Sequence, residues 1–107
     1  MIISQNKLPG LTLCAWAILE PSTLAFIRKS DNVLSVASGG IGQIDVTFAA
    51  GTFPDINYVL AAPGAEGTGF PGMLTATLTT CRITNWFGAS ASSWVAGKRQ
   101  ALYFYAT

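Results

Sequence analysis

The seven residues from Gly42 to Phe48, GQIDVTF, alternate strictly after the glycine: Ile44, Val46 and Phe48 fall on one side of an extended chain, and Gln43, Asp45 and Thr47 on the other. Successive side chains of a strand point to opposite faces, so the segment reads as a strand with one face in a core and one in water. A half-buried strand requires partners that alternate in the same way. Met73 to Thr84, MLTATLTTCRIT, sets Leu74, Ala76 and Leu78 opposite Thr75, Thr77 and Thr79, and threonine favours the extended backbone. Gln100 to Ala106, QALYFYA, is aromatic and strand-like on both faces. Thr12–Leu19, Thr23–Lys29, Asn32–Ala37 and Ile56–Ala62 complete a set of about seven strands.

Turn residues punctuate this series at Pro9-Gly10, Glu20-Pro21-Ser22, Ser38-Gly39-Gly40, Gly51 to Asp55, Pro63 to Gly67 and Gly88 to Ser93. No window carries a helical period. Short strands between such turns predict an all-β fold, an antiparallel β-sandwich of immunoglobulin-like or jelly-roll-like type. A chain of 107 residues makes one domain, 1–107, led by an amino-terminal arm of about ten residues. Trp16, Ile18, Phe26, Ile44, Val46, Phe48, Tyr58, Leu60, Leu78 and Phe104 are predicted in or near the core.

Composition narrows the work such a domain can do. Charged residues make up 10% of the chain, against roughly 25% in an average soluble protein, while 50% are hydrophobic. The longest apolar stretch, Leu11 to Leu19, falls well short of the ~20 residues of a spanning helix, so no membrane span is expected. The opening MIISQNK, followed by Pro9-Gly10, lacks the pattern of a targeting segment. Cys14 and Cys81 both lie in predicted strands and read as buried free thiols rather than a disulfide. A net charge of +1, with basic pairs only at Arg28-Lys29 and Lys98-Arg99, is too weak a footprint for nucleic acid, and those pairs are candidates for contact with a charged protein partner.

The chain has no histidine, which removes Ser-His-Asp and Cys-His catalysis and the commonest metal ligand together. Glu20, Asp31, Asp45, Asp55 and Glu66 are scattered, and Asp55 and Glu66 sit beside turn residues where carboxylates cap or solvate. Gly39-Gly40-Ile41-Gly42 joins two strands with no helix behind it, and so reads as a hairpin rather than a phosphate cradle. No catalytic, cofactor or metal residue is expected, and the protein is expected not to be an enzyme. Trp16 reads as core, whereas Trp86-Phe87 and Trp94 flank a loop of small residues and are candidates for an exposed binding role such as stacking on a sugar.

Residues 15 to 62, carrying AWA, FIRKSDNVLSVASGGIGQIDVTF and FPDINYVLAA, resemble a small β-sandwich module of bacteriophage tail-fibre and tail-tip proteins. Trp16, Arg28, Asn32-Val33, Ser35-Val36, Gly42, Val46, Phe48, Asp55, Asn57 and Tyr58 occupy the matching places, over a little under half of the chain. The resemblance implies a virion structural protein without catalysis, in which Pro54 and Asp55 make a turn and Ile56, Tyr58 and Leu60 face one way. The match begins only a few residues after Met1, which favours a stand-alone capsid decoration or cement protein bound to the major capsid protein. A fibre tip that binds a host surface glycan is the alternative. The low charge predicts a homo-oligomer, since apolar patches must be covered; the resemblance implies a trimer. Ile2, Ile3 and Leu8 of the arm, Phe70 in the loop Pro63 to Gly72, Trp86, Phe87 and Trp94 around Gly88 to Ser93, and the basic residues Arg28, Lys98 and Arg99 are the candidate interface residues.

Overall fold

The computed structural model describes residues 7–8, 10–63, 70–87 and 90–107. They form ten strands and no helix: β1 (Lys7–Leu8), β2 (Leu11–Glu20), β3 (Ala25–Lys29), β4 (Val33–Gly40), β5 (Gln43–Phe48), β6 (Val59–Ala61), β7 (Phe70–Ala76), β8 (Thr80–Phe87), β9 (Ser90–Ala91) and β10 (Gln100–Ala106). All pairings are antiparallel. The first sheet runs β1-β2-β10-β6 with β3 also on β2, and the second runs β4-β5-β8-β7 with β9 also on β8. The architecture is therefore the expected antiparallel sandwich, with more strands than expected.

The extra strands have local causes. Met73 to Thr84 is a hairpin rather than one strand, because Thr77 closes it with its own side chain: its Oγ1 accepts from the backbone N–H of Thr80 at 3.0 Å, and its N–H donates to the Thr80 carbonyl at 2.8 Å. The reversal puts Leu78 at the tip, 50% exposed, instead of in the core. The end of the predicted amino-terminal arm is also sheet, since Lys7 and Leu8 pair with Thr12 and Leu11.

Ala15, Ala17 and Leu19 from β2 and Leu102, Phe104 and Ala106 from β10 meet Val33, Ile44, Val46, Phe48, Cys81 and Ile83 of the second sheet to make the core. Trp16 and Ile18 occupy the other phase of β2, so they are half-buried on the outer face and not in the core as expected. Phe26 and Leu60 pack partly buried against it. Cys14 and Cys81 are both free thiols; Cys81 is buried as expected, whereas Cys14 is only half-buried.

Two crossings stitch the sheets together. Between β3 and β4, Ser30 accepts from the Trp16 N–H through Oγ (3.0 Å), and the Asn32 side chain donates to the Cys14 carbonyl (2.7 Å). Between β5 and β6, the turn expected at Gly51 to Asp55 continues through Tyr58, so Ile56 to Tyr58 are not strand: Asp55 Oδ1 accepts from the Asn57 N–H at 2.8 Å, and Ile56 points to solvent instead of sharing the face of Tyr58. Phe53 and Tyr58 fold inward from it, stacked 3.8 Å apart, with Phe48 edge-on to both. The Tyr58 hydroxyl lies 2.7 and 2.8 Å from the Thr77 and Thr80 carbonyls and satisfies one of them, tying this plug to the β7–β8 turn.

Candidate functional site

The outer faces of the two sheets differ in chemistry. On the first sheet the outward phases of β2, β10 and β6 are in register: Trp16 opposes Tyr103, which opposes Ala61; Leu13 opposes Tyr105, which opposes Val59; and Ile18 opposes Ala101. The surface is apolar and aromatic, with Trp16, Ile18, Tyr103 and Tyr105 half-buried against one another and Val59 exposed. Arg28, opposite Ile18 on β3, stands at one end.

The outward phase of the second sheet is polar. Asp45 and Arg82 are cross-strand partners and form a bidentate pair, Nε to Oδ1 at 2.7 Å and Nη2 to Oδ2 at 2.9 Å. The Arg82 hydrogen bonds hold the Asp45 carboxyl below its usual range. Gly39 lies beside the pair, and a Cβ there would come within 3.0 Å of Arg82 Nε and 3.1 Å of Asp45 Oδ1. Thr75 and Thr80 complete a cleft of about 170 Å³ with Asp45 and Arg82. Farther along the same face Phe70, 78% exposed, stands directly opposite Trp86. Gly72 lies against the Trp86 indole, whose Cδ1 would be 3.6 Å from a Cβ at that position.

A second cleft, about 250 Å³, opens at one end of the sandwich among Leu24, Gly42, Gln43, Ser93 and Trp94. Its wall is fixed by Gly42. The backbone there is left-handed (φ 67°), and a Cβ would collide with the Ser92 backbone. Asn85 N–H donates to the Gly42 carbonyl (2.7 Å) and Ser92 N–H to the Asn85 carbonyl (2.8 Å), which lays residues 92–94 across the end of the core. Trp94 consequently packs partly buried against the core, with its Nε1 buried and without a hydrogen-bond partner among the described residues. The exposed role expected for it from the sequence is not met: Trp94 and Trp86 are both half-buried, and Trp94 is the one packed against the core.

The remaining candidates separate. Ile2 and Ile3 lie outside the described residues, as do Glu66, most of the loop Pro63 to Gly72, and Gly88-Ala89; the backbones of Leu8 and Phe87 belong to β1 and β8. Arg28, Lys98 and Arg99 are exposed at the β3 and β10 end of the first sheet. Cys81 is inert in the core: burial pushes its thiol up to about 12, with the Asp45 charge acting in the same direction. Burial likewise raises the Tyr58 phenol. Among the described residues no three His, Cys, Asp or Glu side chains gather as a metal site, and no helix is long and apolar enough to cross a membrane.

No protein-family model matches the chain, and neither a curated protein nor a solved structure matches it significantly. The phage resemblance thus rests on the residues quoted for it. Sequence reasoning found Trp86 and Phe70 singly and missed that they are cross-strand partners. It also missed the Asp45–Arg82 pair, whose only signal was that each sits in the polar phase of its strand.

Proposed function

We propose that the protein is a non-enzymatic structural component of a bacteriophage virion, a decoration or cement protein that docks on the major capsid protein through the outer face of its first sheet. The observation that supports docking is the two-sided apolarity of β2 and β10: an antiparallel sheet with one solvated face alternates apolar and polar residues, whereas these strands present Trp16, Ile18, Tyr103 and Tyr105 outward. Aromatic side chains ringed by charge are the usual composition of a protein contact, and Arg28 supplies charge at one end. The virion setting and a trimeric assembly come from the resemblance; the low charge fraction supports an oligomer without fixing its number.

The test is reconstitution. Purified protein added to particles that lack it should bind and raise the temperature at which heads rupture, and Trp16→Glu with Tyr103→Glu should abolish both while Thr47→Glu, on the other sheet, should not. Particles equally robust with and without the protein would defeat the proposal.

A second reading, a tail-fibre or tail-tip receptor-binding module, is favoured by one observation: Phe70 stands 78% exposed opposite Trp86, an aromatic pair that the fold does not use in its core. Particles that keep their heads intact without the protein but fail to adsorb to cells would select it.

A further inference from the structure

We propose that the outer face of the second sheet binds a neutral oligosaccharide along β8, with Phe70 and Trp86 as the stacking end and the Asp45–Arg82 cleft as the hydrogen-bonding end. The inference shares Phe70 and Trp86 with the second reading above and rests on it only to that extent.

Three features of the face fit this ligand. Sugar rings present C–H groups on one side and hydroxyls at the edge, so they pack on the negative face of an aromatic ring while their rim stays hydrogen-bonded. Phe70 offers such a ring at the surface, and Gly72 sets no side chain of its own against the neighbouring edge of the half-buried Trp86. Arg82 commits its Nε and Nη2 to Asp45, which leaves further guanidinium N–H donors and further carboxylate lone pairs side by side in a cleft of about 170 Å³. Adjacent sugar hydroxyls each donate and accept, and they match a group that does both. Because the two charges cancel within the pair, the cleft selects hydroxyls rather than an anion. The Thr75 and Thr80 side chains line the same cleft.

Spacing sets the length of the ligand. Arg82 and Trp86 share the outward phase of β8 two pleats apart, about 13 Å at ~3.3 Å per residue. That exceeds one sugar ring, so a short chain, not a monosaccharide, spans both ends. The rigidity is favourable too: both ends stand on paired strands, and the bidentate geometry holds Arg82 in place before any ligand arrives.

The experiment titrates the isotope-labelled full chain with neutral glucose-, galactose- and N-acetylglucosamine-based oligosaccharides, with sialylated ones as the acidic comparison, after a glycan-array screen. At least one neutral oligosaccharide should bind, shifting the amides of β7 and β8, with little change in affinity between about 0.05 and 0.5 M salt. Phe70→Ala, whose exposed side chain the fold does not need, should weaken it about ten-fold or more, as should Arg82→Gln. Binding to acidic glycans alone, binding to none, or binding indifferent to both variants would overturn the inference. Particle adsorption separates it from the receptor reading. Adsorption lost in Phe70→Ala yet uncompeted by any neutral oligosaccharide overturns the inference and leaves the receptor reading standing. Saccharide binding without an adsorption defect does the opposite.

Discussion

The two sheets share one core and present opposite outer faces. On the second, β5 keeps a strict alternation, so Ile44, Val46 and Phe48 are buried while Gln43, Asp45 and Thr47 meet water. On the first, β10 buries Leu102 and Phe104 inward and still turns Tyr103 and Tyr105 outward, and β2 does the same with Leu19 inside and Trp16 and Ile18 outside. Folding of the sandwich requires the inner phase of both. It has no use for the apolar outer phase of the first sheet, whose side chains gain only what they bury against each other. The difference teaches where to look for association: in the strand whose pattern exceeds what its own fold requires.

The largest expected effect tests the shared half of that comparison. Phe48 contacts Phe53, Tyr58 and Phe104, joining the inner faces of both sheets. Phe48→Ala should cost about 3–5 kcal/mol in denaturant unfolding, a large part of the ~5–15 kcal/mol that holds an ordinary domain together. A loss under about 1 kcal/mol would mean that the two sheets do not depend on one core.

Next in size is Gly42→Ala. A side chain is strained at φ 67° and collides with the Ser92 backbone, so the cost should reach at least ~1–3 kcal/mol. Because residues 92–94 hold Trp94 against the core, its fluorescence should shift to the red in the folded variant. An unchanged spectrum would mean that Trp94 does not pack against the core, and the contrast between a core-packed Trp94 and a Trp86 on the outer face of the second sheet would fail.

Trp16→Ala addresses the outer faces directly. If the first sheet carries the contact, association measured by sedimentation or on particles should weaken by about 2 kcal/mol, the scale of a buried aromatic anchor, while Thr47→Ala on the second sheet should change it by no more than ~0.5 kcal/mol. Equal effects would erase the distinction between the faces.

Much of the fold was legible because alternation reports burial directly. The strands Gln43–Phe48 and Gln100–Ala106 match, to within a residue, the segments read from pattern alone. Met73 to Thr84 misled because threonine and small apolar residues alternate straight through its turn, and what bends the chain is a hydrogen bond from the Thr80 N–H to the Thr77 hydroxyl oxygen rather than a glycine or proline. The pattern of β2 has two apolar phases, and nothing local says which faces the core; pairing with β10 and packing against the second sheet decide that Ala15 and Ala17 go in and Trp16 out. The Phe70–Trp86 and Asp45–Arg82 partnerships depend on register between strands, which a single sequence does not encode in any short window.

The smallest expected effect belongs to the polar face alone. Asp45 is held below its usual carboxyl range by Arg82, so its pKa is lower folded than unfolded. Such a group contributes its full stabilisation above the unfolded value of about 4 and loses it as the pH falls through the depressed folded value. Unfolding measured at neutral pH and stepped down into acid should therefore lose more stability in the parent than in Asp45→Asn. The carboxylates common to both proteins cancel in the difference between the curves. Both partners are about a third exposed, which lets solvent screen the pair and keeps the difference modest. Added salt should shrink it further, because screening acts on the attraction between the two charges. Parallel acid limbs for the two proteins would mean that the pair does not form in solution, and the polar face would then lack the fixed, self-neutralised centre that separates it from the aromatic one.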